Sequence, residues 1–292
     1  MKIFDRSIIE VIKERFSCRT YLDNPIPTET LEKLTDFIQI NQDGPFGDNH
    51  RFKLVAAGKN DADILKGLGT YGFIRGANGY LIGTSLPSGK YLEDFGFLME
   101  KYVLAATAYG LGSCWLGGSF TRSTFSRKIS LKPGEELPAV IALGLIEDLE
   151  EARNGLIRRR VGANDRRSWN TMFHEKTFEI PLERTSAGEY VQPLEMVRIG
   201  PSASNKQPWQ IVKDGSNWHF FLKRTPGYRD GKINKTLSIS DMQRIDMGIA
   251  MCHFQLTAEE LRLKGSWIVE DPDIKSDSER VEYTVTWRSF KE

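Results

Sequence analysis

The chain repeats itself. Gly44-Pro45 opens GPFGDNHRFKLV and Gly200-Pro201 opens GPSASNKQPWQIV. Each follows a short amphipathic helical pattern beginning near a proline, with Leu31, Leu34, Phe37 and Ile38 in the first case and Leu194 and Val197 in the second. Each precedes a strand pattern, 52–56 and 209–213. Further on, Asp94-Phe95-Gly96 recurs 152 residues later as Asp246-Met247-Gly248, and Gly112-Ser113 recurs 153 residues later as Gly265-Ser266. Such a repeat constrains the fold more than composition does, because two copies of one unit must find a way to pack. The boundary falls near 171–179, which makes 1–173 copy one and 174–292 a shorter, diverged copy two. The helical pattern 91–109 carries Phe95, Phe97, Leu98, Met99, Tyr102, Val103 and Leu104 and is apolar on nearly all sides. That suits burial between the copies, or an ordinary core helix.

Composition removes several functions. With 27% charged and 40% hydrophobic residues the chain is ordinary globular material, and a net charge of +1 offers no footprint for nucleic acid or an anionic membrane. Basic residues do cluster at Arg158, Arg159, Arg160, Arg166 and Arg167, as a solvated face or a phosphate neighbourhood. The start MKIFDRSIIEVIKER lacks an apolar run of signal-peptide type, and the most apolar stretch, 103–118, is broken by glycines and too short to span a bilayer. A cytoplasmic protein is expected. Cys18, Cys114 and Cys252 have neither disulfide-framework nor zinc-site spacing, so no metal is expected. HExxH, GxSxG and Walker A patterns do not occur.

Two segments carry the chemistry. In GPSASNKQPW, 200–209, small residues allow close approach to a planar ligand, the prolines stiffen the loop, and Asn205 and Gln207 can donate and accept hydrogen bonds. In IIEVIKERFSCRTYLDNPIP, 8–27, Ser7 and Glu10 form a capping box and Arg15 comes near the helix end, a position the helix dipole alone would favour. Together these stretches resemble the FMN-dependent nitroreductase family, through its PSxxNxQPW loop and its opening helix with an RxSxR turn, here Arg15, Ser17 and Arg19. The resemblance implies an α+β fold of two related halves, each a sheet flanked by helices. It implies that Pro201, Ser202, Ala203 and Asn205 lie against the isoalloxazine ring, that Arg15 and Ser17 meet the FMN phosphate, and that Arg19 stands near the flavin pyrimidine. LGSCWLGGSF, 111–120, follows a helix and so fails as a dinucleotide fingerprint; in the family it passes the flavin edge, which brings Gly117 and Gly118 near N5. NDRRSWNTMF, 164–173, resembles the family's basic segment, with Arg166 the best phosphate match, Arg167 or Arg160 as substitutes, and Asn164 where a lysine is expected. Tyr71 and Arg75 fall where a further pyrimidine contact is expected.

The copies are unequal. Copy one keeps RFSCR but has Phe46 and Gly47 in place of small hydroxyl residues; copy two keeps PSASNKQPW but has nothing like RxSxR. One flavin site is expected per chain, in a single-chain pseudo-dimer that can be monomeric. The implied activity is transfer of two electrons from NAD(P)H to a small acceptor such as a nitroaromatic or quinone. A flavin- or small-molecule-binding module without redox turnover is the alternative, and a cofactor-free scaffold a third.

Overall fold

The computed structural model describes residues 5–58, 62–146, 165–228 and 239–290. Arg158, Arg159, Arg160 and Asn164 lie outside the described residues.

The repeat folds as two copies of one sheet. In the first half, β1 (His50–Ala56), β2 (Gly79–Ser85), β3 (Gly112–Leu116) and β4 (Val140–Gly144) form a sheet of order β1-β2-β4-β3, antiparallel throughout. In the second half, β5 (Phe173–Glu175), β6 (Trp209–Asp214), β7 (Asn217–Lys223), β8 (Gly265–Ile268) and β9 (Val281–Ser289) are ordered β5-β6-β7-β9-β8. Without β5, which joins β6 in parallel, the second order repeats the first strand for strand. Gly112 and Gly265, matched in the sequence, each begin an edge strand.

The helices longer than a single turn are α1 (Ile8–Glu14), α2 (Thr28–Ile40), α3 (Tyr91–Ala108), α4 (Arg122–Ile129), α5 (Val191–Arg198) and α6 (Met242–Glu260). The axis of the molecule is the pair α3 and α6, the long helices of the two halves. They cross at Gly96 and Gly248, the glycines of the repeated Asp-x-Gly motif. A Cβ on Gly96 would overlap the Ile245 carbonyl, and one on Gly248 the Glu93 carbonyl, so only glycine permits this approach. The expected burial between copies is therefore what makes α3 apolar all round: Phe95, Leu98 and Met99 are fully buried, as are Met247, Met251 and Phe254 of α6. One continuous core runs through both halves. A second cluster, Phe16, Tyr80, Phe120 and Phe125 among others, covers the outer face of the first sheet beneath α4. The sheet of the second half has no α4 counterpart among the described residues. No described helix is long and apolar enough to cross a membrane.

Candidate functional site

A cleft of about 940 Å³ opens between the halves, and an extension of about 240 Å³ shares Ser17, Arg19, Trp115 and Ser202 with it. Three segments build the walls. The first is the arm that leaves α1. Ser7 caps the helix, its Oγ accepting from Glu10 N at 3.4 Å, and the helix ends at Arg15 as the chain turns extended. The arm then runs beside β3, where Cys18 N donates to Ser113 O at 2.8 Å, and this edge pairing faces Arg15, Ser17 and Arg19 into the cleft and its extension. Arg15 is the most enclosed. Its side chain is 5% exposed, its Nε has no hydrogen-bond partner, and burial lowers its pKa against the opposing pull of Glu100.

The second wall is the turn after β3. Gly117 and Gly118 border the cleft, and Arg122 Nη2 donates to Gly117 O at 3.3 Å. The space beside Gly117 is set by the other half: a Cβ there would lie 2.5 Å from Met242 Sδ, and one on Gly118 3.0 Å from Ile239 Cδ1.

The third wall is the loop 200–207, and here the sequence reading needs correction. Pro201, Ser202, Ala203 and Asn205 do line the cleft or its extension. The amide side chains, however, are largely spent inside the loop and on the segment before β5. Asn205 Nδ2 donates to Asp165 O at 2.9 Å, Gln207 Oε1 accepts from Arg167 N at 2.9 Å, and Gln207 Nε2 reaches Asp165 O at 3.2 Å. Trp209 opens β6 and is wholly buried in the core, so its indole is no part of a ring-facing surface. Three non-glycine residues, Ser204, Asn205 and Gln207, hold positive φ of 50°, 53° and 49°, strain of the kind that persists only where surroundings over-determine it.

Arg166 joins this loop. Nη1 donates to Asn205 Oδ1 and Nη2 to Ile199 O, both at 3.1 Å, while the residue also lines the extension near Arg15. Arg167, Tyr71 and Arg75 line neither space; Arg75 instead pairs through its backbone with Arg19, and Phe73 is the residue of that turn that reaches the extension. Thus Arg15, Ser17, Arg19 and Arg166 of copy one line the same space as Pro201, Ser202, Ala203 and Asn205 of copy two, with Gly117 and Gly118 on its border.

Sequence reasoning missed Trp115, Tyr228, Asp241 and Asp246, all on the cleft wall. Asp241 is clamped by Arg224, with both oxygens accepting at 2.8 and 2.9 Å. Asp246 Oδ1 accepts from Ala203 N at 2.9 Å while Oδ2 has no partner, and full burial pushes this carboxyl well above the usual carboxylate range. The repeated Asp-x-Gly was the available signal, since Asp94 holds the matching loop of copy one. Among the described residues no group of His, Cys, Asp and Glu is arranged for a metal ion.

The comparisons follow this geometry. A family model described as "Putative TM nitroreductase" matches residues 7–258. Among solved structures, a "putative nitroreductase" of Thermotoga maritima MSB8 is 21% identical, with a TM-score of 0.60, and the match covers 97% of this chain and 93% of that one. A nitroreductase family protein of Clostridium difficile 630 is 21% identical with a TM-score of 0.38, covering 52% of this chain and 95% of that one. A "putative nitroreductase in complex with FMN" of Desulfovibrio desulfuricans is 23% identical with a TM-score of 0.40, covering 53% and 95%. No curated protein matches.

Proposed function

The chain belongs to the TM nitroreductase family, and from that premise we propose that it is an FMN-dependent oxidoreductase passing two electrons from NAD(P)H to a small acceptor such as a nitroaromatic or quinone. The observation that carries the reading is the meeting, in one cleft, of the arm found only in copy one and the small-residue loop found only in copy two. The residues fit a flavin mononucleotide. A buried guanidinium on the extension, a serine beside it and a second arginine there are suited to a phosphate dianion, the group that most needs such donors when taken out of water. The cleft beyond is wide and bordered by Gly117, Gly118, Pro201 and Ala203, which leave room for a flat ring. The structure bound to FMN from Desulfovibrio desulfuricans supports the same reading by its description.

Bound FMN supplies the two-electron chemistry, accepting and releasing hydride at its ring. This chain's own residues bind and orient. Arg15, Ser17 and Arg166 hold the phosphate end. Arg19, on the cleft wall, would hold positive charge beside the ring of a bound flavin. Gly117, Gly118, Pro201, Ser202, Ala203 and Asn205 form the slot in which donor and acceptor are held.

Flavin released by denaturation from FMN-saturated protein, measured against chain concentration, tests the assignment. We expect a ratio near one. A ratio near two overturns the single-site reading, and a protein that takes up no FMN overturns the cofactor. Flavin binding without NAD(P)H oxidation across several quinones and nitroaromatics identifies the binding-module alternative.

A further inference from the structure

Behind the cleft lies a polar cluster that no wall of the site accounts for. Glu100 of α3 and His253 of α6 are both wholly buried, one from each half, and face each other across the helix pair with His253 Nε2 2.9 Å from Glu100 Oε1. The far side of the imidazole is tied as well: Nδ1 lies 2.9 Å from the Met196 carbonyl, and because a carbonyl only accepts, Nδ1 carries a hydrogen. The other face of Glu100 looks toward the cleft. Oε2 accepts from Trp115 Nε1 at 2.7 Å, and Oε1 stands 3.8 Å from Arg15 Nε. Trp115 and Arg15 are both wall residues. A buried carboxyl is costly unless its surroundings repay it with partners, and here the partners are two residues of the cleft and one residue of the opposite half.

We propose that Glu100, anchored by His253, is a positioning residue for the cleft: it touches no ligand but fixes the Arg15 guanidinium and the Trp115 ring in the orientation that receives the cofactor. The inference rests on the reading that Arg15 meets the flavin phosphate. A guanidinium presents more than one edge of paired N–H donors, and an anion placed on the Nε side leaves another edge for the cleft. Without that anion, Arg15 would be an enclosed cation with no fixed direction, and ordering it would be charged against phosphate binding. The link also explains why the site needs both halves. The arm belongs to copy one, but the residue that steadies its counter-charge belongs to copy two.

Glu100→Gln isolates the effect. The carboxamide oxygen still accepts from Trp115 and its NH2 donates to Nε2 of an imidazole protonated at Nδ1, so the contacts are kept while the charge facing Arg15 is lost together with the Nε2 hydrogen that the carboxylate accepts. Dissociation constants for FMN and for riboflavin, which lacks the phosphate, are measured for wild type, Arg15→Ala and Glu100→Gln. We expect Arg15→Ala to erode the preference for FMN over riboflavin, and Glu100→Gln to erode it by roughly tenfold with riboflavin affinity within about twofold of wild type. If Arg15→Ala leaves the preference unchanged, or wild type binds neither flavin, the phosphate reading falls and the inference with it. If Arg15→Ala erodes the preference while Glu100→Gln leaves it unchanged or raises it, the inference alone is overturned. Equal weakening of both ligands shows a merely structural Glu100 and overturns it too. Should Glu100→Gln lack a cooperative melt, Glu100→Asp, which keeps the charge but draws it away from Arg15, is read by the same ratio and against the same outcomes.

Discussion

In the first half the loop after α2 is closed down by its own helix and filled with aromatic rings, whereas in the second half the matching loop stands open against the arm of the first. Asp94 takes both available donors of loop 44–48, Oδ1 from Phe46 N at 2.9 Å and Oδ2 from Asp48 N at 3.0 Å. Phe46 packs on the core, and the His50 ring sits among Phe52 and Phe95 at centroid distances of 5.9 and 6.1 Å. Asp246, at the matched position, takes only Ala203 N, and the loop it holds carries serines and alanine to a cleft. The carboxylate that latches loop to helix is thus common to both halves and belongs to the fold. The small residues occur only where there is a cleft to line and belong to function. A duplicated unit can keep its architecture in both copies while one loop turns into core.

The hardest test of that division is to remove the cations that serve one loop only. Replacing Arg15 and Arg166 by alanine together should weaken FMN binding at least a hundredfold, because charge-assisted hydrogen bonds are worth about 1.5–3 kcal/mol each and two are lost. Titration of flavin fluorescence checks it. Retention of wild-type affinity would mean that the phosphate lies elsewhere, and the contrast between an active and a filled loop would lose its chemical basis.

The two latches should break differently. In Asp94→Asn one of the two loop N–H groups loses its acceptor and meets an NH2 instead, a cost of about 2 kcal/mol. Asp246→Asn keeps the bond from Ala203. It also removes a carboxyl whose folded pKa is raised. Such a group makes the folded state bind more protons, so stability falls as pH rises above the unfolded value of about 3.9. Thermal melts at pH 7 should therefore show Asp94→Asn well below wild type and Asp246→Asn at or above it. The reverse order would show that the two bonds of Asp94 do not hold their loop more firmly than the single bond of Asp246 holds its own.

Much of this plan was legible because duplication writes itself twice. The paired Gly-Pro openings, the Asp-x-Gly motif and the Gly-Ser strand starts gave the two sheets and the central helix pair, and the unequal loops pointed to a single cleft. What stayed hidden was how side chains are spent. Asn205 and Gln207 look like ligand-facing amides until Asp165 and Arg167 are seen folded back onto them. Trp209, the last residue of the loop motif, is carried by β6 into the core. Glu100 and His253 have no local pattern at all, since their meaning comes from α3 and α6 crossing, a contact between residues 153 apart.

Gly117 sharpens the comparison from the first half's side. Valine there must displace Met242, whose sulfur stands 2.5 Å from the new Cβ. Methionine is flexible, so the fold should survive with flavin content nearly intact, while turnover with NAD(P)H and a quinone falls roughly tenfold as the added branch narrows the slot. Steady-state rates normalised to bound flavin check it, and wild-type rates would place the reacting edge away from this turn.

The smallest effect concerns a clamp that the first half holds beneath α4. Glu135 takes Arg51 Nε at 2.6 Å, the same guanidinium through Nη2, and Lys132 N at 2.8 Å. The Arg51 hydrogen bond leads in holding this carboxyl down to about 2. Its unfolded value is near 4.3. The folded pKa is depressed, so the stabilisation is present above about pH 4.3 and is lost as pH falls toward 2. Solvent reaches Arg51, which screens the pair, so we expect about 1 kcal/mol at pH 7 and not the full linkage value. Glu135→Gln should lower the melting temperature modestly at pH 7 and approach no difference only below about pH 2, if wild type still folds there. The difference between variant and wild type should shrink steadily from pH 5 downward. A difference independent of pH would assign the loss to packing and not to the charge of the clamp.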